Sequence, residues 1–144
     1  MEVQKDFKKL LELFNASKVE YVIVGGYALA FHGVPRYTGD IDIVVKPDRE
    51  NAQKILNALK DFGFASLDLS ITDFSLPGKV VQLGVPPVRI DIITSLTGLT
   101  WEQIALNRIE GAYGSVPVYY IGKHEFIINQ NIPRGSQTGS NQFI

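Results

Sequence analysis

Two aspartates one residue apart, inside an apolar strand pattern, constrain this 144-residue chain more than any other feature. They are Asp40 and Asp42, in the segment DIDIVV. Successive side chains of a β-strand point to opposite faces, so the two carboxyl groups share one face, with Cα atoms about 6.5–7 Å apart. A carboxylate is costly in apolar surroundings unless it has a partner. The segment therefore predicts a strand with one buried face and one face that binds a ligand or a cation.

A second segment, VRIDIIT from Val88, repeats the pattern with a single carboxylate, Asp91. If this strand pairs beside the first, Asp91 lies about 4.8 Å away across the ladder. Three carboxylates on one patch would raise one another's pKa values, and a divalent cation removes that penalty. Oxygen ligands suit Mg²⁺ or Mn²⁺, and two such ions could hold the attacking and leaving oxygens of a phosphoryl transfer.

A glycine pair, Gly25-Gly26, follows the apolar segment YVIV and precedes a short helical pattern that ends at Gly33. Glycine has no Cβ, so a triphosphate could approach this backbone closely, and amide groups at the start of a helix favour an anion. Taken singly, the glycine pair is typical of a tight turn, the DID segment of a solvated edge strand and Asp91 of a surface residue. Their combination favours a metal and nucleotide site.

The remaining pattern predicts one α+β domain over residues 1–128. An amphipathic helix opens the chain, a second follows Asp48, and a capping-box spacing at Thr100 starts a third. Beyond the two aspartate strands, strands are predicted over Tyr21–Val24, Phe64–Leu69, Lys79–Val85 and Val116–Ile121. Residues 129–144 are polar and lack periodicity, which predicts an irregular or extended arm.

The composition excludes several classes of protein. The chain has no cysteine, which excludes disulfides and thiolate metal sites and favours a reducing compartment. A formal net charge of -1 gives no nucleic-acid signature. No apolar run approaches the ~20 residues of a membrane span, and the mixed-charge N-terminus is unlike a signal peptide. We therefore expect a cytoplasmic protein with no membrane partner.

The series VGGYALAFHG, RYTGDIDIVV and VRIDII resembles the DNA polymerase β-type nucleotidyltransferase superfamily. Its pattern is a hydrophobic residue, Gly-Gly or Gly-Ser, a spacer, Asp-h-Asp or Asp-h-Glu, and a later h-Asp-h, where h is hydrophobic. Within the superfamily the chain is most similar to small bacterial and archaeal nucleotidyltransferases of the AbiEii kind, many of them encoded in toxin–antitoxin or phage-defence modules. The similarity covers residues 21–93 most strongly.

The resemblance implies a mixed β-sheet flanked by helices and a Mg²⁺-dependent (or Mn²⁺-dependent) enzyme. Such an enzyme moves a nucleoside monophosphate from an NTP, with ATP among the expected donors, to a protein or RNA acceptor and releases pyrophosphate. The acceptor could be a cognate toxin or antitoxin.

The resemblance also assigns residues. By this likeness Asp40 and Asp42 bind metal, and Asp91 completes the metal site and serves as the general base. Four residues are expected at the nucleotide: Gly25, Gly26, Arg36 and Thr38. The chain departs from relatives in having Gly26 where many have serine, and in a C-terminal segment that lacks their basic helical pattern.

Charged residues outside this pattern are interpreted as ordinary. His32 is expected to satisfy a hydrogen bond at a helix end. Lys46, Lys79 and Arg89 are expected to be solvated, within reach of a substrate phosphate.

Two other functions stay open. A binding or antitoxin-like module could retain the fold without catalysis, although three converging acids favour the enzyme. Transfer to a small molecule such as an aminoglycoside is the third reading, and the expected drug-binding domain is not evident in the sequence.

Overall fold

A computed structural model describes residues 3–34, 39–64, 68–85, 88–130 and 140–143. The strands there are β1 Tyr21–Val24, β2 Asp40–Val45, β3 Lys79–Val85, β4 Val88–Ile93, β5 Ile109–Tyr113, β6 Val116–Tyr120 and β7 Ser140–Phe143. The helices are α1 Lys5–Ala16, α2 Gly25–Phe31, α3 Arg49–Leu59, α4 Ile71–Ser75, α5 Trp101–Leu106 and α6 Lys123–Gln130. A π-helical turn over Lys60–Phe64 continues α3.

The described strands form one mixed sheet in the order β5-β6-β1-β2-β4-β3-β7. Its centre joins β1 and β2 antiparallel, β2 and β4 parallel, and β4 and β3 antiparallel. The parallel pair β2 and β4 needs a long connection, which contains α3, α4 and β3. The predicted α+β class, with a mixed sheet flanked by helices, is confirmed.

Helices α1 and α3 bury the apolar stripes that the sequence predicts. Phe7, Leu10, Leu11 and Phe14 of α1 are buried, and Ala52, Ile55 and Leu59 lie on the buried side of α3. They join the isoleucines of β2 and β4 in one hydrophobic core. The core therefore packs against one face of the central strands and leaves the opposite face available for the carboxylates.

Helix caps fix the ends of three helices. Asp48 accepts a hydrogen bond from the Asn51 amide at 2.7 Å, and Thr100 forms the predicted capping box with Gln103. Ser70 forms a second capping box with Asp73, and so starts the short helix α4. Within the described residues, no helix is both long and apolar enough to cross a membrane.

The strand predicted over Phe64–Leu69 is wrong in its described part. Phe64 ends the π-helical turn and Asp68–Ser70 is irregular, whereas residues 65–67 lie outside the described residues. The periodicity of such a short apolar segment does not distinguish a strand from a helix. The chain enters helix α4 directly after Ser70, and the described residues between Phe64 and α4 form no strand.

The segment predicted to be an irregular or extended arm begins within a helix and includes an extended strand where it is described. Residues 129 and 130 complete α6, and Ser140–Phe143 forms β7, which pairs parallel with β3. The edge of β3 offers unpaired backbone groups, and such groups accept a strand whatever its side-chain pattern. Residues 131–139 lie outside the described residues.

Candidate active site

The three predicted carboxylates lie on one face of the central strands. β2 and β4 are parallel neighbours, with Asp42 opposite Asp91 and Asp40 opposite Arg89. Because alternate residues share a face, Asp40 and Asp42 project with Asp91, while Ile41 and Ile43 project into the core. The predicted adjacency of the two aspartate strands is confirmed.

Asp91 sits in the most enclosed position of the three. It is 8% exposed, whereas Asp40 and Asp42 are half-buried. Gln82 of β3 lies opposite Asp91 on the side away from Asp42, and a hydrogen bond from Gln82 stabilises the Asp91 carboxylate. Asp91 thus lies between the Asp42 carboxyl group on β2 and the Gln82 amide on β3.

The Asp42 and Asp91 carboxyl groups are hydrogen-bonded to each other. Burial, followed by the negative charge of Asp91, raises the pKa of Asp42 to about 7. Burial also raises the pKa of Asp91, while its contact with Asp42 and the charge of Arg89 act in the opposite direction. The direction of these effects assigns the shared proton to Asp42, whose carboxyl donates to the Asp91 carboxylate. Two acids in contact cannot both ionise cheaply without a cation.

Arg89 is a component of the site that the sequence interpretation missed. Its Nη2 donates to Asp40 Oδ2 at 2.6 Å, and its Nε lies 3.4 Å from Asp91 Oδ1. The expectation of a solvated Arg89 is wrong, because the side chain is 31% exposed and pairs with two carboxylates. The signal was present in the sequence: Arg89 stands two residues before Asp91, so both project from the same face of β4.

Gly25 shapes the other border of the site. It begins α2 with a φ of 67°, a conformation that glycine adopts without the steric cost of a Cβ. A Cβ placed there would overlap Asp42 Oδ2 and would come within 3.0 Å of Asp42 Cγ. The glycine is therefore required by the close approach of the Asp42 carboxyl group. Its neighbour Gly26 is the next residue of α2, so of the predicted glycine pair Gly25 is the one that contacts a carboxyl group.

The other predicted residues are placed as follows. Arg36 and Thr38 lie outside the described residues, and their contact with a nucleotide stays a prediction. His32 ends α2 with Nε2 2.7 Å from the Ile121 carbonyl oxygen, so the expected hydrogen bond at a helix end is confirmed. Lys46, expected to be solvated, forms exposed ion pairs with Glu20 and Asp48 at the far end of β2.

The carboxylates are not arranged as a finished metal site. Among the described residues, no three His, Cys, Asp or Glu side chains are positioned to hold one metal ion together. One oxygen of Asp40 is bonded to Arg89. Asp42 and Asp91 remain in direct contact and form the part of the site that a cation could bridge.

A model of the aminoglycoside-2''-adenylyltransferase family matches residues 6–138. The chain belongs to this family. Because adenylyl transfer is a nucleotidyl transfer, the predicted enzyme class, a nucleotidyltransferase, is confirmed. The likeness to the AbiEii subgroup and its toxin–antitoxin systems remains a prediction.

A solved structure gives an independent comparison of the fold. A Thermotoga maritima protein described as a "putative nucleotidyltransferase" matches with a TM-score of 0.55 and 19% sequence identity. The match covers 84% of this chain and 78% of that one. At this identity the likeness concerns the fold. No curated protein sequence matches the chain significantly.

Proposed function

We propose that this protein is a Mg²⁺-dependent nucleotidyltransferase that uses Asp40, Asp42 and Asp91 to bind metal and Asp91 as general base. The donor is an NTP, with ATP favoured by the adenylyltransferase family to which the chain belongs. The observation that carries the proposal is the pairing of Asp42 with Asp91 on adjacent parallel strands, with Asp40 on the same face.

The donor set fits a hard divalent cation. Asp91 Oδ1 is buried and has no hydrogen-bond partner, and the Asp42 and Asp91 carboxyl groups touch each other. Carboxylate oxygens are the ligands that Mg²⁺ and Mn²⁺ prefer. Asp42 and Asp91 would hold the ion on the polar face of β2 and β4, and Asp40 would join them once its oxygen is released from Arg89. When bound, the ion neutralises charge on the phosphate oxygens and orients the attacking and leaving oxygens.

Asp91 would act on the acceptor. Its carboxylate would take the proton of the acceptor hydroxyl while that oxygen forms a bond to the α-phosphorus and pyrophosphate leaves. Gln82, opposite Asp91 on β3, limits the directions in which the carboxylate can turn.

The glycine pair would hold the triphosphate. Gly25 lies directly against the Asp42 carboxyl group, so a phosphate close to the Gly25–Gly26 backbone would also be close to the bound metal. Arg36 and Thr38 would contact the nucleotide from the segment before β2, as the family resemblance implies.

Two classes of acceptor deserve a direct test. The sequence resemblance favours a hydroxyl of a protein or an RNA, including a cognate toxin or antitoxin in a defence system. The name of the matched family favours the hydroxyl of an aminoglycoside as a second candidate. Both acceptors present a hydroxyl group to the same base, so the chemistry at Asp91 is common to them.

The experiment is a transfer assay with each NTP labelled at the α-phosphate, in Mg²⁺, against protein, RNA and aminoglycoside acceptors. We expect label on one acceptor class, release of pyrophosphate, and loss of both with Asp91→Asn. NTP labelled at the γ-phosphate should leave the acceptor unlabelled. Binding of Mg²⁺–NTP without transfer to any acceptor would instead support the non-catalytic binding module.

A further inference from the structure

Arg89 places a positive charge among the carboxylates. It bonds to Asp40 at 2.6 Å and lies 3.4 Å from Asp91, so one guanidinium group approaches acids of both β2 and β4. The same strand pair places Asp42 opposite Asp91. A single positive charge thus offsets part of the repulsion among three acids.

The two contacts of Arg89 differ in quality. The bond to Asp40 is short and well directed, whereas Arg89 Nε and Asp91 Oδ1 are both buried and neither has a hydrogen-bond partner. A buried donor and acceptor left unpaired cost free energy. The guanidinium group is therefore bonded to Asp40, and Asp91 Oδ1 is left without a hydrogen-bond donor.

We propose that Arg89 is the internal counter-ion of this site, bound to the carboxylates without metal and displaced from them by the divalent cation. This inference rests on the metal site of the proposed function and adds the residue that the metal must replace. Asp40 Oδ2 can face either the guanidinium or a cation at short range. Arg89 is accordingly a positioning residue that holds Asp40 in place until metal arrives.

A competing counter-ion has a definite thermodynamic signature. It stabilises the metal-free protein and lowers the metal affinity, and linkage requires the two effects to be equal in free energy. A residue that only packs would lower stability equally with and without metal when removed. A residue that helps to bind the metal would lower the affinity when removed.

The test uses Arg89→Met, which keeps the apolar stem and removes the charge, and Mn²⁺ alone as the probe. Isothermal titration should show that the variant binds Mn²⁺ about fivefold more tightly than the wild type, which corresponds to an ion pair of about 1 kcal/mol. Unchanged or weaker affinity would overturn the proposal. Arg108→Met is the matched control, since Arg108 contacts Tyr119 and the Ala105 carbonyl, away from the carboxylates.

Thermal melting supplies the second readout. In chelator, Arg89→Met should melt below the wild type, and saturating Mn²⁺ should remove most of that difference. A difference of the same size in both conditions would assign Arg89 a packing role and overturn the proposal. If Arg89→Met fails to fold, Arg89→Lys replaces it: its Mn²⁺ affinity should be at or above that of wild type, and a lower affinity overturns the inference.

The same data separate this inference from the proposed function. If Mn²⁺ binds wild type and Asp42→Asn equally, the carboxylate metal site is wrong. If Mn²⁺ binding depends on Asp42 but Arg89→Met does not tighten it, the metal site stands and the counter-ion role of Arg89 is wrong.

Discussion

The two faces of the β2–β4 pair carry opposite kinds of side chain, apolar on one and charged on the other. On one face Ile41, Ile43, Ile90 and Ile92 are at most 2% exposed and belong to the core. On the other face the register neighbours are Asp42 with Asp91 and Asp40 with Arg89. The apolar face holds the strands in register, and this register brings the acids together. The carboxylates repel one another, so the site depends on the packing of the isoleucines on the opposite face of the strands.

The largest expected effect comes from the polar face. Asp91→Asn should lower nucleotidyl transfer by about 10²–10⁴-fold from the loss of a general base, with a further loss from the missing metal ligand. The fold should be retained, because the isoleucines on the opposite face are untouched. Pyrophosphate release and circular dichroism measure the two quantities. Near-wild-type turnover would show that Asp91 is neither base nor essential ligand.

On the apolar face, Ile43→Ala should lower the free energy of unfolding by about 2–5 kcal/mol, as for other large-to-small core substitutions. Ile43 is fully buried, directly follows Asp42 on β2, and lies opposite Ile23 of β1 and Ile92 of β4. Denaturant unfolding measures the loss. Folded variant molecules should retain activity per molecule; a variant that stays stable but loses transfer would mean that the faces are not separable in this way.

Asp42→Asn should weaken ligand binding without lowering the stability of the free protein. Mg²⁺ with a non-hydrolysable NTP at 100 times its Kd should stabilise wild type by about 2.7 kcal/mol, and the variant should lose most of that gain. In the free protein the change should be neutral or stabilising, since it relieves repulsion with Asp91. Thermal shifts with and without ligand test both statements. Equal ligand-induced shifts in the two proteins would place the nucleotide elsewhere.

The smallest expected effect is on the pH dependence of the metal-free protein. The pKa of Asp42 rises from 3.8 to about 7, so the folded state keeps a proton that the unfolded state has lost between these values. Stability should therefore fall as pH rises from about 4 to about 7, by about 1–2 kcal/mol after solvent screening. Urea unfolding in chelator measures this slope, and Asp42→Asn should flatten it. A stability that rises over this window would contradict the assignment.

Much of the central sheet is predictable because strict alternation fixes both the strand and its faces. The apolar alternation of DIDIVV and VRIDII predicts β2, β4 and the common face of Asp40, Asp42 and Asp91. The hydrophobic stripe of α1 and the capping box at Thr100 likewise act locally, and both appear in the structure.

What the sequence did not predict depends on partners distant in the chain. β7 exists through backbone pairing with the edge of β3, which side-chain patterns do not encode. The role of Arg89 depends on Asp40, 49 residues earlier, and on the register that places them opposite each other. The contact of Gly25 with Asp42 is of the same kind: the sequence predicts a glycine near a phosphate, and the structure adds a carboxyl group packed where its Cβ would be.

The parallel pairing of β2 with β4 also affects the order in which the protein gains its activity. The chain segment between β2 and β4 is long, and closing this loop costs chain entropy before the contacts between the two strands compensate. Pairings of this kind form late in folding. During synthesis, Asp42 and Asp91 cannot be brought together until β4 has left the ribosome and docked beside β2. Metal binding at Asp42 and Asp91 would therefore report on the pairing of β4 with β2, and a chain stopped before β4 would have α1 to α4 and its glycine turn but would lack Asp91 and Arg89.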